Sequence, residues 1–124
     1  NQDLKKIIHW SFQKDLYMLA ICHGPAALLS ANLNQDGEFL YSGYSMAVFP
    51  DSMDKQTPMI GYMPGQLTYQ FGSKLSELGV NIVNKKADKT CHQDRKLITG
   101  ASPQAANDFG ILSATALLQS KNVL

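Results

Sequence analysis

The chain has 124 residues, of which 44% are hydrophobic and 17% are charged, and its formal net charge is +1. These fractions are ordinary for a folded globular protein and exclude an intrinsically disordered chain. So small a net charge gives no electrostatic basis for binding nucleic acid, and no apolar run reaches the ~18–20 residues that a membrane span needs. Two cysteines are too few for a disulfide framework, so we expect a cytoplasmic protein with free thiols.

The first elements predicted along the chain are a helix, a strand and a second helix. Apolar residues recur at helical spacing over residues 2–14, and Asp15 ends that pattern. The continuous apolar run at 16–21 is typical of a strand buried on both faces, as in the centre of a parallel sheet. Pro25 suits the first turn of a short helix, which we expect over 26–31.

The rest of the chain continues this alternation of strands and helices. The sequence predicts strands at 44–49 and 80–83, a long loop at 50–64, a hairpin of strands 90–92 and 96–99, and helices at 67–78 and 105–116. Gly79 is expected to end the first of these helices, and Ser102 to cap the last. The alternation predicts an α/β fold with a mostly parallel sheet.

The predicted sheet is small for a complete domain. The chain enters on a helix and supplies few strands, whereas a doubly wound sheet has about five or more. It also opens on Asn1 without an initiator Met. We therefore interpret residues 1–124 as the C-terminal part of a single domain whose opening strands lie upstream.

The turn Cys22-His23-Gly24-Pro25, between a strand and a helix, is the strongest chemical signal in the sequence. A residue on such a turn has the position of a nucleophile elbow, above the C-terminal edge of the sheet. The N-terminus of the following helix would favour a thiolate, and cysteines at helix N-termini can have a pKa of roughly 3.5–7.5. We therefore predict that Cys22 is a nucleophile; the alternative is a structural cysteine at a strand end.

Four stretches together resemble the ThiJ/PfpI superfamily. They are residues 20–29 around Cys22, 49–58, 60–65 and 94–103. Within that superfamily they are similar to the glyoxalase III branch, whose members are also described as heat-shock chaperones and protein deglycases. The resemblance implies a flavodoxin-like, doubly wound sheet in three α/β/α layers, and a homodimer.

The resemblance also assigns three catalytic residues. It places the family's nucleophile on Cys22, its triad histidine on His23 and its triad acid on Asp54. The acid would hold the imidazole in one tautomer and orientation. The assignment of Asp54 depends on the resemblance alone, because a carboxylate in a proline-flanked loop more often forms a turn.

Other parts of the family's site would lie upstream of residues 1–124. These are a glutamate beside the cysteine, a glycine-rich turn that completes an oxyanion pocket, and a metal site of two histidines and one glutamate. No cofactor or metal is therefore expected in this chain. A metal site built from Cys22, His23, Cys91 and His92 is disfavoured, because adjacent ligands strain the coordination geometry. Cys91 is interpreted as a plain strand residue, and His9 as a surface or packing residue.

The implied substrates are small dicarbonyls or glycated proteins. The Cys22 thiolate would add to methylglyoxal or glyoxal, or to glyoxal-derived adducts of protein side chains, with the upstream glutamate as base and His23 assisting. One alternative is a holding chaperone, which needs an exposed apolar patch. Another is a cysteine peptidase or amidase, which needs an open cleft for a peptide.

Overall fold

In the computed structural model, which describes residues 1–121, short strands alternate with helices. In chain order these are α1 Gln2–Gln13, β1 Met18–Ile21, a 3₁₀ helix Gly24–Asn32, β2 Ser45–Met46, α2 Asp51–Asp54, α3 Phe71–Glu77, β3 Asn81–Ile82, β4 Cys91–Asp94, β5 Leu97–Gly100, a 3₁₀ turn Pro103–Ala105 and α4 Ala106–Lys121. Asp15 follows the end of α1 with a left-handed φ of +52°. The predicted order of helices and strands is confirmed, apart from α2, which lies in the predicted loop at 50–64.

The described strands form two small sheets. In the first, in the order β1-β5-β4, β1 is parallel to β5 and β4 is antiparallel to β5. In the second, β2 and β3 are parallel. The register places Ile21, the last residue of β1, opposite Gly100 of β5. Parallel pairs between helical connections confirm the predicted α/β class.

Strand β1 lies at the edge of its sheet. The apolar run at 16–21 predicted a central strand buried on both faces, but β1 pairs only with β5 among the described strands. Leu16 and Leu19 are 43% and 39% exposed. Burial on both faces is therefore not observed within residues 1–121. No described strand lies along the second edge of β1, as expected of a chain whose opening strands lie upstream.

Strand β2 is shorter than predicted because side chains replace a neighbouring strand beyond its second residue. The Ala47 N–H donates to Thr99 Oγ1 at 2.8 Å. Asn84 accepts from the Val48 N–H at 2.9 Å and donates through Nδ2 to the Val48 carbonyl at 2.8 Å. The Asn84 side chain therefore satisfies the Val48 N–H and carbonyl as a neighbouring strand would, and it fixes the backbone that leads towards α2.

The predicted loop at 50–64 begins instead with the helix α2, which carries Asp54. The prediction failed because one helical turn is too short to show an apolar repeat. The next helix, α3, begins at Phe71 rather than at residue 67. Gly79 follows its end as predicted, with φ +92°. The Gly79 N–H donates to the Ser76 carbonyl and the Val80 N–H donates to the Leu75 carbonyl, each at 3.0 Å, in a Schellman motif.

The hairpin and the last helix match their predictions. β4 and β5 pair in antiparallel register, and Arg95 in the connection has φ +55°. Ser102 Oγ accepts from the Gln104 N–H at 3.2 Å, the bond of an N-cap.

The core lies between α1, the 3₁₀ helix, α3 and the sheets. Its fully buried large side chains include Ile8, Leu28, Met46, Phe71, Leu75 and Leu97. None of the helices within residues 1–121 combines the length and the hydropathy that a membrane crossing needs.

Candidate active site

Cys22 lies on a strained turn directly after β1. Its φ is +62°, a left-handed conformation that is uncommon for a residue other than glycine. The Cys22 N–H donates to the Gly100 carbonyl at 2.8 Å, and the Cys22 carbonyl accepts from the Phe49 N–H at 2.9 Å. Such a conformation costs about 1–3 kcal/mol and persists where surrounding contacts enforce it. A strained residue between a strand and a helix is the geometry of a nucleophile elbow.

The three side chains predicted for the site lie together. Cys22 Sγ is 3.3 Å from His23 Nδ1, and His23 Nε2 is 2.6 Å from Asp54 Oδ1. Asp54 is 6% exposed. Since a carboxylate can only accept, Nε2 carries the proton of the neutral ring, and Nδ1 is left as an acceptor for the thiol.

Two aromatic rings hold the imidazole. The Phe49 ring stacks on the His23 ring with centroids 4.4 Å apart and an interplanar angle of 26°. The Phe71 ring lies 5.7 Å from it at 45°. The imidazole is therefore restrained by two ring contacts and by its hydrogen bond to Asp54.

The protonation of Cys22 differs from the prediction. Burial raises the pKa of the Cys22 thiol above its ordinary value, the hydrogen bond from the His23 backbone opposes this, and the negative charge of Asp54 raises the pKa further. The predicted lowering of the pKa is wrong for residues 1–121, because the loss of hydration outweighs the backbone hydrogen bond. A neutral thiol needs a proton acceptor, and His23 Nδ1 lies within reach.

The second cysteine and the first histidine have packing roles, as predicted. Cys91 lies in β4, and its Sγ donates to the Ala105 carbonyl at 3.6 Å. Burial and the charge of Asp108 raise the pKa of its thiol. His9 Nε2 is 2.8 Å from the Ala31 carbonyl. No three His, Cys, Asp or Glu side chains within residues 1–121 are grouped as metal ligands would be.

Several residues that support the site were missed by the sequence reasoning. Phe49 lies in the predicted strand 44–49 and Phe71 in the predicted helix 67–78, and neither position signals a contact with His23. Asn84 follows β3, and a polar residue just after the predicted strand 80–83 was the available signal for its role. Asp51, discussed below, lies one turn before Asp54 and carried no signal of its own.

The chain is similar in sequence to bacterial deglycases. It is 46% identical over 118 residues to the protein/nucleic acid deglycase HchA of Escherichia coli strain K12 / DH10B, and 45% identical to that of strain O9:H4 (HS). Each alignment covers 95% of this chain and 41% of the relative. The chain thus spans less than half the length of the curated relatives it matches. No protein-family model matches it.

The structure is similar to larger solved proteins. The Rapid Encystment Protein 24 KDa of Francisella tularensis matches 97% of this chain and 50% of its own, with a TM-score of 0.73 and 25% identity. Glyoxalase III of Candida albicans matches 92% of this chain and 48% of its own, with a TM-score of 0.67 and 25% identity. Over nearly all of its own length, the chain is therefore similar in sequence to HchA deglycases and similar in fold to glyoxalase III, as its sequence motifs predicted.

Proposed function

We propose that this chain carries the nucleophile of a glutathione-independent glyoxalase III or protein deglycase that detoxifies methylglyoxal and glyoxal. The observation that carries the proposal is the hydrogen-bonded series Cys22–His23–Asp54 on a strained strand-to-helix turn. The names of the relatives support it, since the sequence relatives are deglycases and one structural neighbour is a glyoxalase III.

The first step uses only residues of this chain. His23 Nδ1 takes the thiol proton, and the Cys22 sulfur bonds to the aldehyde carbon of the dicarbonyl. The proton then passes from the imidazolium to the carbonyl oxygen, which leaves a hemithioacetal. Asp54 stabilises the imidazolium and keeps Nδ1 free of a proton before the attack.

The second step needs a further base in addition to His23. The proton on the former aldehyde carbon is removed to give an enediol, and a proton returns to the neighbouring carbon to give a thioester. Water then releases lactate from methylglyoxal, or glycolate from glyoxal, and regenerates the thiol. The family's upstream glutamate is the proposed base, because the chain's only glutamates, Glu38 and Glu77, both follow Cys22.

The deglycase reaction would start from the same thiolate. Its substrates would be glyoxal-derived adducts on protein side chains, and the name of the E. coli relatives extends to nucleic acids. We further propose a cytoplasmic homodimer that needs no cofactor for this chemistry, completed by the upstream part of the same domain.

A holding chaperone is the second candidate, because one segment near the site exposes several large apolar side chains. Met59 and Ile60 are 84% and 72% exposed, and Tyr62, Leu67 and Tyr69 are also exposed. An exposed apolar surface is what binding of partly unfolded proteins requires. Cys22→Ala separates the two functions, because it would remove dicarbonyl turnover and leave suppression of aggregation intact.

The test is lactate formation from methylglyoxal by the natural gene product that contains these residues. Cys22→Ala is expected to abolish turnover, whereas the matched control Cys91→Ala retains it. The isolated 124-residue chain is expected to be inactive, because it lacks the base. Turnover by Cys22→Ala at the wild-type rate would refute the proposal.

A further inference from the structure

A carboxylate outside the proposed triad joins the two helices that hold the imidazole. Asp51 is the first residue of α2, and its side chain reaches the N-terminus of α3. It accepts from the Gly72 N–H at 3.0 Å, from the Ser73 N–H at 2.8 Å and from the Ser73 hydroxyl at 2.9 Å. The residue at the N-cap position of α3, Gln70, makes no capping bond through its side chain. Asp51 therefore caps α3 from another helix.

Both helices contact His23. α2 carries Asp54, one turn after Asp51, and Asp54 Oδ1 is 2.6 Å from His23 Nε2. α3 begins with Phe71, whose ring lies 5.7 Å from the imidazole. A shift of either helix would change a contact that sets the orientation of the ring.

We propose that Asp51 is a positioning residue for the His23–Asp54 pair, acting by locking α2 against α3. The proposal rests on the proposed function of Cys22. Asp51 touches no reacting atom. Without its three hydrogen bonds, α2 and α3 would lose the side-chain contact that connects them. The imidazole would then sample orientations in which Nδ1 faces away from the thiol.

A substitution at Gly72 perturbs the contact between Asp51 and α3 without changing Asp51 itself. A Cβ at this position would lie 3.0 Å from Asp51 Oδ1 and 3.1 Å from Oδ2. Such distances are tighter than ordinary packing, so Gly72→Ala should push the carboxylate a few tenths of an ångström from its position while leaving its charge unchanged. The two variants Asp51→Asn and Gly72→Ala are therefore expected to act in the same direction.

The experiment uses the natural gene product with two readouts. The first is kcat and KM for methylglyoxal, and the second is the pH profile of Cys22 alkylation by iodoacetamide, read by peptide mass spectrometry. Asp51→Asn is expected to lower kcat about ten- to hundredfold with little change in KM, since misplacing a catalytic group by about 1 Å can cost that much. It should also slow Cys22 alkylation near neutral pH, where the thiol depends on His23.

Asp88→Asn is the matched control, because Asp88 also accepts a backbone N–H, that of Thr90 at 2.9 Å, and within residues 1–121 it makes no hydrogen bond to Cys22, His23 or Asp54. It is expected to change neither readout. If Asp51→Asn does not fold, Ser73→Ala, which removes one of the three bonds, should give a smaller slowing of alkylation.

An alkylation profile unchanged in Asp51→Asn and Gly72→Ala, or changed equally in Asp88→Asn, would overturn the positioning role. A wild-type protein that does not turn over methylglyoxal would refute the proposed function alone, because the alkylation profile still decides the role of Asp51.

Discussion

At the scale of single residues, the two cysteines differ in what their sulfur atoms face. Cys22 Sγ lies 3.3 Å from an imidazole nitrogen, whereas Cys91 Sγ donates to a backbone carbonyl. Burial raises the pKa of both thiols, so both remain protonated at a pH where an ordinary cysteine begins to ionise. Within residues 1–121, the Cys22 thiol therefore has a ring nitrogen at hydrogen-bond distance that can take its proton, whereas the hydrogen-bond partner of the Cys91 thiol is a carbonyl.

We therefore expect iodoacetamide to alkylate Cys22 faster than Cys91 near neutral pH. The rate at Cys22 should rise further as the pH passes through its raised thiol pKa. His23→Ala should remove the neutral-pH advantage and leave the rise at high pH. Peptide mass spectrometry across a pH series measures both cysteines in one sample, and equal rates at every pH would contradict the assignment.

Asp54 is expected to affect turnover and thiol ionisation in opposite directions. Asp54→Asn removes the acceptor that selects the Nε2–H tautomer, so kcat should fall about 10²–10⁴-fold, the contribution typical of acid–base groups. The negative charge of Asp54 raises the pKa of the Cys22 thiol, so Asp54→Asn should lower that pKa towards its ordinary value. Steady-state kinetics and thiol titration test the two effects, and an unchanged kcat would exclude Asp54 from the triad.

At the scale of the elements, the end of α3 depends on one glycine. Gly79 has φ +92°, and a Cβ there would lie 2.5 Å from Ser42 Oγ. Gly79→Ala therefore combines backbone strain with a steric clash, and we expect a loss of about 1–3 kcal/mol in the free energy of unfolding. Urea denaturation of the natural gene product measures it.

Gly43→Ala provides the matched control for this substitution. Gly43 also has a positive φ, +78°, but a Cβ there meets nothing within 4 Å. Gly43→Ala should lose only the part of the free energy of unfolding that backbone strain removes. It should therefore be more stable than Gly79→Ala. Equal losses in the two variants would show that the contact with Ser42 contributes nothing.

At the scale of the whole molecule, one edge of β1 has no neighbouring strand within residues 1–121. An apolar strand with an unpaired edge is a template for pairing with another strand. Leu19 in β1 is exposed, as are Ile111 and Leu118 in α4. The relatives are more than twice as long as the aligned segment.

The 124-residue chain expressed alone is therefore expected to associate or precipitate through this surface. Co-expression with the segment that the family resemblance places upstream should give a soluble complex. Analytical ultracentrifugation and thermal melting distinguish the outcomes. A monodisperse monomer of the chain alone, with a sharp cooperative melt, would show that residues 1–124 are self-sufficient.

Local signals in the sequence were enough for much of the fold and for the candidate nucleophile. The apolar repeat predicted α1, Ser102 and Pro103 predicted the start of the last helix, and the strand–Cys-His-Gly-Pro–helix pattern predicted the elbow at Cys22. The role of His23 came from the family resemblance. These features arise from residues close together in the chain, where periodicity, capping and turn geometry act.

The contacts of Asp54 and Asp51, and the protonation of Cys22, were decided only by the tertiary structure. Asp54 is 31 residues from His23, and Asp51 is 21 residues from Gly72. No local pattern encodes such pairs, because their geometry depends on how α2 and α3 pack over the turn. The thiol pKa likewise depends on burial by distant residues, which reversed the direction that the helix N-terminus alone predicted.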